Sequence, residues 1–347
     1  MNPAEVPDRV SDPAGQTFPG ARGMLSGIGE KALAGSGVEV RRIRPEEIGP
    51  SLRLLLLESG IEGPELDRRM KHFQELAGQE NYDLTRQVVI ARDSRLVYAG
   101  LFVRNPGGTA FLFSSPPAAG KSGGVDFISL SSQALDGLCQ WAFQEGSVLL
   151  QLLAEPGDGG RQELCRRSGL RHLTELVYLF RQSEAEAELP KVPGGQWLGY
   201  GREHHELFKE TIARTYEGSQ DCPELEGLRT MEEVLRGHQA GGRFDPRWWK
   251  LLRIEGKAAG VLLLMPLRSG DAMELTYMGV CPEYRRQGWG RCLLGEAMVS
   301  ARLSGARCLT LAVDSRNERA DRLYRSLGFQ EMLRRVVYYR YAGWGKE

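Results

Sequence analysis

A short loop rich in glycine and arginine most limits what this chain can fold into. It follows an apolar run, Met273 to Val280, that indicates a strand, and it leads into an amphipathic run, Gly290 to Ser304, that indicates a helix. The first N–H groups of a helix lack intrahelical partners, and the helix dipole favours negative charge there. Glycines let a ligand approach the backbone closely. The segment therefore predicts a phosphate site at Arg285, Arg286, Gln287, Gly288, Trp289, Gly290 and Arg291.

The spacing of the loop excludes two common phosphate-binding motifs. A Walker A loop needs a lysine directly after its last glycine, and Gly290 is followed by Arg291. A dinucleotide fingerprint needs a third glycine or alanine at position 293, which is Leu293. A glycine-rich turn with surface arginines is the remaining alternative to a phosphate site.

A second informative segment lies downstream of this loop. The run 309–313 indicates a buried strand, and Asn317 is a suitable cap for the helix that follows. Ala320, Leu323 and Tyr324 recur at helical spacing, so they share one face of that helix. Gly328 suits the left-handed position at the helix end. Taken alone, Tyr324 could be a core residue of this face.

Together, the two segments closely resemble the signatures of the GNAT N-acetyltransferase superfamily. The first is Arg-x-x-Gly-x-Gly after a Val-x-Pro strand end, and the second is Asn followed by Ala-x-x-Leu-Tyr and Gly-Phe. The resemblance implies an acetyl-CoA site, with acetyl-CoA as acyl donor and no metal. It implies an enzyme, an acyltransferase that transfers groups other than aminoacyl groups. It covers roughly residues 38–347 and is strong in the C-terminal half.

The resemblance also implies roles for individual residues. Glu274, 11 positions before Arg285, occupies the place of a general base, although it could be an exposed glutamate at a strand end. Tyr324 matches the general acid that protonates the departing thiolate. Asn317 matches the asparagine on the cofactor side of the family's site. It could instead cap the helix, and it could do both. The backbone that would bind the pantetheine arm and polarise the thioester carbonyl belongs to Met278, Gly279 and Val280.

The acceptor site has a weaker signal. In this superfamily, the segment that links the first two helices shapes the acceptor pocket, and here it spans 215–225. Its acidic residues suit a cationic amine, so Tyr216 and Asp221 are candidate substrate contacts; a solvated loop is the alternative. The pair His204 and His205 lacks metal-ligand spacing, so we assign no metal.

An internal duplication organises the chain. Ala99-Gly100 and Ala259-Gly260 stand 160 positions apart, and Leu164 to Leu170 echoes Leu323 to Phe329. With this duplication, the resemblance implies an α/β (α+β) GNAT fold with two tandem domains, each a mixed, mostly antiparallel twisted sheet flanked by helices. The predicted divisions are a disordered segment (1–37), a degenerate GNAT-like domain (38–181), a linker (182–196) and a catalytic domain (197–347).

The N-terminal copy lacks the residues that the chemistry needs. Its phosphate loop should fall within 116–124, which does not have the Arg-x-x-Gly-x-Gly spacing. Cys165 stands in the tyrosine position, and the run 110–115 carries no carboxylate. We therefore interpret this domain as catalytically silent.

Composition limits the partners and the compartment. Equal numbers of basic and acidic residues, 45 each, argue against a dedicated nucleic-acid binder. No apolar run approaches the roughly 18 residues that span a bilayer, so we predict no membrane contact. The six cysteines form no CxxC pair, which favours free thiols in a reducing cytoplasm.

The sequence thus predicts an acyl-CoA-dependent N-acyltransferase that transfers acetyl from acetyl-CoA to a primary amine, by direct attack in a ternary complex. The amine could belong to a small molecule, a protein or a peptide. Two alternatives remain: an inactive acyl-CoA-binding sensor or scaffold, and a transferase that uses aminoacyl-tRNA. The neutral charge and the complete loop disfavour the transferase that uses aminoacyl-tRNA.

Overall fold

The structure is a computed structural model that describes residues 31–33, 37–57, 61–117, 121–122, 125–183, 195–267 and 270–344. The elements of the first half are β1 (Lys31–Leu33), β2 (Val38–Arg42), α1 (Ile48–Leu55), α2 (Pro64–Gln79), β3 (Gln87–Arg92), β4 (Arg95–Asn105), β5 (Thr109–Ser114), β6 (Lys121–Ser122), β7 (Val125–Asp126), α3 (Phe127–Gln144), β8 (Leu149–Ala154), α4 (Gly159–Arg167) and β9 (Arg171–Gln182).

The second half repeats this order. Its elements are β10 (Gly195–Gly199), α5 (His205–Tyr216), α6 (Met231–Ala240), β11 (Trp249–Ile254), β12 (Lys257–Pro266), β13 (Ala272–Val280), α7 (Trp289–Leu303), β14 (Cys308–Asp314), α8 (Glu318–Ser326) and β15 (Gln330–Tyr341). Single 3-10 turns lie at Pro45–Glu47, Arg202–His204, Pro223–Leu225, Pro246–Trp248 and Pro282–Tyr284.

One mixed sheet runs through both halves. Its strand order is β1-β2-β3-β4-β5-β8-β15-β9-β14-β13-β12-β11-β10, and β6 pairs with β7 separately. Neighbours are antiparallel except β5 with β8 and β13 with β14, which are parallel. The mixed, mostly antiparallel sheet and the duplicated order of elements confirm the predicted fold class.

The two halves exchange their last strands. Strand β15 pairs with β8 from Val336↔Ala154 to Tyr341↔Leu149, whereas β9 pairs with β14 from Cys308↔Gln182 to Asp314↔Leu176. Strands β9 and β15 also pair with each other, and this pairing joins the strands of the two halves into one sheet. The domain limits 38–181 and 197–347 stay a proposal; in the sheet, the last strand of each half lies among strands of the other half.

Helices cover both faces of each half of the sheet. In the first half, α3 and α4 bury Leu135 and Leu164 on one face, and α1 buries Leu52 on the other. In the second half, α7 and α8 share a core cluster with β13 and β14, and α5 and α6 bury Phe208 and Leu235 on the opposite face. The repeat of sheet and helices places equivalent loops in each half.

The predicted disordered segment, linker and N-terminal phosphate loop are only partly within the described residues. Disorder was predicted for 1–37, but Lys31–Leu33 is a strand, because antiparallel pairing with β2 satisfies its backbone; 1–30 and 34–36 are outside the described residues. Of the predicted linker, Gln182 ends β9 and Gly195 begins β10, and 184–194 lie outside the described residues. The N-terminal phosphate loop at 116–124 is described only in part, since 118–120 and 123–124 are also outside.

Candidate active site

The site begins where two parallel strands separate. Strands β13 and β14 pair from Ala272↔Cys308 to Leu275↔Leu311 and no further. Beyond this point β13 continues along β12 to Val280, and β14 continues along β9 to Asp314. A cavity of about 270 Å³ fills the gap, and we call it the splay cavity. Its wall includes Met278, Gly279, Val280, Asn317 and Tyr324.

A β-bulge turns β13 just before the gap. Leu263 pairs with Tyr277 and Leu264 with Leu275, so Thr276 has no partner on β12. The Thr276 hydroxyl donates a hydrogen bond to the Leu263 carbonyl oxygen at 3.1 Å. Because of the extra residue, Leu275 packs in the cluster with α7 and Tyr277 packs in the cluster with α5. Thr276 lies in the walls of two cavities, the splay cavity and a larger one described below.

The predicted phosphate loop presents unpaired backbone donors. After the 3-10 turn Pro282–Tyr284, Arg286 has φ +62° and Gly288 has φ +87°, a region that favours glycine. The N–H groups of Arg291 and Cys292 bond the Gly288 carbonyl oxygen at the start of α7. Within the described residues, no backbone acceptor is recorded for the N–H groups of residues 286–290. These donors and the N-terminus of α7 suit a pyrophosphate.

The charged side chains of this loop have different roles. Arg285 donates from Nε to the Val280 carbonyl oxygen and from a terminal nitrogen to the Thr215 carbonyl oxygen, both at 3.0 Å. Its guanidinium therefore ties the end of β13 to the end of α5. Arg286 is exposed, and Arg291 bonds the Ser326 hydroxyl at 3.0 Å. Arg286 and Arg291 are the loop cations that remain accessible to a ligand.

The other loop side chains stabilise the turn. Gln287 donates to the Glu283 carbonyl oxygen at 2.9 Å, and the Trp289 indole donates to the Gln287 side-chain oxygen at 3.4 Å. Gly290 packs on the next helix, since a Cβ there would lie 3.3 Å from a methyl group of Leu323. Gly288 and Gly290 thus position the start of α7 next to α8.

Helix α8 brings Tyr324 and Asn317 to the splay cavity. Tyr324 is 8% exposed, packs on Phe329 with ring centroids 5.9 Å apart, and lines the cavity. Burial raises the pKa of the Tyr324 phenol well above its ordinary value, so the group carries its proton at neutral pH. The Asn317 side chain caps α8 by accepting from the Ala320 N–H at 3.2 Å, and it also lines the cavity.

A second and larger cavity lies between the two halves, and we call it the interface cavity. It measures about 730 Å³ and is lined by α2, the β4–β5 end, the end of α6 and Glu274 on β13. Burial raises the pKa of the Glu274 carboxyl. Burial and then the negative charge of Glu274 raise the pKa of the Tyr178 phenol on β9. His238 of α6 also lines this cavity, and burial lowers its pKa to about 4, so its ring is neutral at pH 7.

The loop after α5 forms part of the wall of the splay cavity. Asp221 lines the cavity and accepts from the Asp314 N–H at 3.2 Å. Partial loss of hydration around the carboxyl raises the pKa of Asp221, although part of the residue stays exposed to solvent. Tyr216 is not among the cavity-lining residues: its ring packs edge-on to Tyr277 at 5.4 Å, and burial raises its pKa to about 12. Of the two predicted substrate contacts, the structure brings Asp221 to the cavity.

A buried carboxylate holds this loop in place. Asp314 is 0% exposed and accepts from the Cys222 N–H at 3.1 Å. Arg316 bonds both Asp314 and, at 2.5 and 2.9 Å, the two carboxylate oxygens of Glu224. Glu224 is therefore occupied by this ion pair.

Sequence reasoning missed three features of this region: the bulge at Thr276, the anchor at Asp314 and the cavity between the halves. The anchor had a weak signal, since an acidic residue directly follows a buried apolar strand. The interface cavity had none, because it depends on how the halves pack.

The described residues contain no group of three or more His, Cys, Asp or Glu that could hold a metal ion. His205 bonds Tyr200 at 2.8 Å and Glu232 at 2.9 Å, and His204 bonds the Gly199 carbonyl oxygen at 3.2 Å. In the same part of the chain, no helix has the length and apolar character needed to cross a bilayer. The cysteines described there are free, and three are buried: Cys139, Cys165 and Cys281.

Comparison with known proteins shows what the region around the site is similar to. Residues 210–329 match the model of the acetyltransferase (GNAT) family. A mycothiol acetyltransferase from Propionibacterium freudenreichii subsp. shermanii is 26% identical over 259 residues, which are 72% of this chain and 76% of that protein. The predicted order, a silent domain followed by an active one, also resembles mycothiol synthase.

Solved structures share the fold. A GCN5-related N-acetyltransferase from Sphaerobacter thermophilus matches with a TM-score of 0.62 at 17% identity, covering 88% of this chain and 95% of that one. A tandem GNAT protein from the clavulanic acid biosynthesis pathway matches with a TM-score of 0.50 at 14% identity, covering 88% and 99%. The family match includes residues of the splay cavity, and the solved structures share the duplicated fold, so the chain is a tandem GNAT protein whose C-terminal half carries an acetyltransferase (GNAT) domain at residues 210–329.

Proposed function

We propose that this protein transfers acetyl from acetyl-CoA to a primary amine, by direct attack of the amine on the thioester within a ternary complex. The observation that supports this most is the position of Thr276, which lines both the splay cavity and the interface cavity. A donor bound in one cavity and an acceptor bound in the other would meet at the bulge of β13. A cytoplasmic location is part of the proposal.

In the proposed complex, the donor lies along β13. The pyrophosphate occupies the start of α7, where the free N–H groups of residues 286–290 and the side chains of Arg286 and Arg291 surround it. The pantetheine arm follows Met278, Gly279 and Val280, which have lost β14 as a neighbour. Unpaired backbone groups of these residues form hydrogen bonds with the arm, as they would with a neighbouring strand. Asn317 lines the same slot while it caps α8.

The acceptor enters from the interface cavity. The wall of this cavity contains three carboxylates, Glu75, Glu80 and Glu274, and its described residues include no Lys or Arg. Such a wall attracts a cationic amine. We expect Asp221 to contribute negative charge at the other side of the bulge, where it lines the splay cavity.

Two proton transfers complete the reaction. Glu274 accepts a proton from the ammonium group, and a carboxyl with a raised pKa is better suited to this task than an ordinary one. The neutral amine attacks the thioester carbonyl carbon, a C–N bond forms and the C–S bond breaks. Tyr324, protonated at neutral pH, gives its proton to the departing thiolate. Backbone N–H groups of the splayed strand stabilise the oxyanion between these steps.

The experiment that tests this proposal has two parts. Calorimetry should give acetyl-CoA binding to the wild type and loss of binding in Gly288→Glu/Gly290→Glu, with Gly199→Glu at an exposed position of β10 as the control. A screen of amines for release of the CoA thiol then tests turnover. Binding without turnover for any small or peptide amine would favour the sensor alternative, and no binding would refute the donor site.

A further inference from the structure

A third cavity lies where the β4–β5 turn of the first half meets helix α6 of the second half, and we call it the turn cavity. It measures about 440 Å³, within the range of ligand pockets. Its wall is built from the β4–β5 turn, the turn before β8 and helix α6, so both halves contribute. The residues that line it include three arginines: Arg86, Arg104 and Arg236.

The positive charges in this cavity are only partly compensated. Arg86 pairs with Glu145 at 3.0 Å and with Asp83 at 3.4 Å. Arg236 has a loose contact of 3.8 Å to Glu232, and no carboxylate partner of Arg104 is recorded in the described part of the chain. Arg104 and Arg236 therefore line one cavity from opposite halves, with the loose contact to Glu232 as the recorded compensation, and a bound anion would stabilise this arrangement.

One carboxylate also lines the wall, but it is already engaged. Glu233 accepts from the Thr230 N–H at 2.8 Å and from the Thr230 hydroxyl at 2.9 Å, as the capping box of α6. Its commitment to the cap lowers its pKa and keeps it ionised. The net charge of the lining side chains is therefore positive, with three arginines against one glutamate.

A buried hydroxyl at the same place lacks a partner. Ser147 lines the turn cavity, is 3% exposed, and its Oγ has no hydrogen-bond partner. Its backbone N–H is bonded to Ala142, so the unmet requirement belongs to the side chain. The Nε of Arg229, whose guanidinium bonds Thr109 at 3.0 Å next to this cavity, is also buried without a partner. Buried polar atoms without protein partners are uncommon and indicate a bound water or ion.

We propose that the turn cavity binds a phosphate group, held by Arg104, Arg236 and the Ser147 hydroxyl. Guanidinium forks match phosphate oxygens in geometry and charge, and a hydroxyl adds a neutral donor. The ligand bridges the two halves, because the turn already touches α6: a Cβ at Gly107 would lie 2.2 Å from the Glu233 carbonyl oxygen. The site is independent of the acetyl-CoA site proposed above.

Phosphate could come as the free ion or as part of a phosphomonoester, and calorimetry distinguishes them. The full-length protein is first saturated with CoA so that the loop before α7 is occupied, and is then titrated with inorganic phosphate and with glycerol 3-phosphate. We expect one site for at least one of the two ligands. Tighter binding of the ester identifies an esterified phosphate as the ligand, and tighter binding of the ion identifies free phosphate.

The variants locate the site. Arg104→Gln and Arg236→Gln should each weaken binding about tenfold, and Ser147→Ala should weaken it several-fold. Arg95→Gln, an exposed arginine at the other end of β4, is the matched control and should bind as the wild type does. Thermal unfolding without ligand checks that each variant is folded. The proposal would be overturned if neither ligand binds to the CoA-saturated protein. It would also be overturned if folded Arg104→Gln and Arg236→Gln bind phosphate as tightly as the wild type does.

Discussion

The Thr174 hydroxyl donates a hydrogen bond of 2.6 Å to the Asp314 carboxylate, although 140 residues separate the two along the chain. Thr174 belongs to β9 of the first half and Asp314 ends β14 of the second, and both are buried. Asp314 also bonds Cys222 in the loop after α5, which forms part of the wall of the splay cavity. The exchange of last strands thus supports the wall of the candidate active site directly.

Thr174→Val should lower the free energy of unfolding by about 1–2 kcal/mol, because a buried carboxylate oxygen loses a donor while the shape of the side chain is kept. Arg316 still donates to the same oxygen, which limits the loss. Urea denaturation measures the change. Thr310→Val on the same strand as Asp314 is the control, since its hydroxyl makes a longer bond of 3.4 Å to a backbone carbonyl oxygen. Equal losses for the two variants would contradict a special role of the Thr174 bond.

Acid should weaken the fold through Asp314. Burial alone would raise the pKa of this carboxyl, but hydrogen bonds from Arg316, Thr174 and the Cys222 N–H lower it to about 2. A folded pKa below the unfolded value gives stability that is present above about pH 4 and is lost as the pH falls towards 2. The shift corresponds to roughly 2 kcal/mol. We expect the stability difference between wild type and Asp314→Asn to shrink by that amount between pH 6 and pH 2 in urea titrations.

Local sequence patterns predicted most of the elements around the site. The alternation and the glycines of 273–304 gave strand, loop and helix close to their observed limits, and Asn317 caps α8 as expected. These features depend on residues that are neighbours in the chain. The duplicated order of strands and helices followed from the same reasoning.

The rest depends on long-range packing. The exchange of β9 and β15 joins residues more than a hundred positions apart, and no periodicity encodes which half a strand joins. Arg285 shows the same limit: its motif position suggests a phosphate ligand, yet its guanidinium bonds two carbonyl oxygens, one of them on α5. The role of Glu274 as a base stays a prediction, and its place in a cavity shared by both halves could not be inferred from one strand.

Tyr324→Phe should lower turnover by about 10²- to 10⁴-fold, as expected for the loss of a general acid. The affinity for acetyl-CoA should change little, because phenylalanine keeps the packing on Phe329. Steady-state rates with the best amine and calorimetry with acetyl-CoA measure both effects. Tyr338→Phe, a buried tyrosine of β15 outside both cavities, is the control and should keep its rate. An unchanged rate in Tyr324→Phe would remove this residue from the mechanism.

Glu274→Gln should separate activity from stability. The wild-type kcat/KM should rise with pH through a pKa above that of an ordinary glutamate, because burial raises the pKa of this carboxyl and only the ionised form accepts a proton. The variant should lose about 10²-fold or more in rate and lose this limb of the profile.

The same variant should be more stable than the wild type at neutral pH. A carboxyl with a raised folded pKa favours folding below the unfolded pKa, and this contribution is lost as the pH rises through the folded pKa. Replacing the charge by an amide removes that loss, so urea denaturation at pH 8 should give a higher midpoint for Glu274→Gln. Reduced stability together with an unchanged pH profile would show that Glu274 is a structural residue.

Gly279→Ala should disturb the donor slot through a steric contact. A Cβ at this position would lie 2.5 Å from the Thr215 Cβ on α5, a distance that requires the helix or the strand to move. We expect a loss of about 1–3 kcal/mol in the free energy of unfolding and weaker acetyl-CoA binding, because Gly279 belongs to the splayed edge of β13. Gly78→Ala on α2 is the matched control, since nothing lies within 4 Å of its Cβ position and helical alanine is favoured. The double variant Gly279→Ala/Thr215→Gly removes the contact atoms and should recover acetyl-CoA affinity relative to Gly279→Ala. Failure of that recovery, measured by calorimetry on folded protein, would show that the slot does not depend on the contact between β13 and α5.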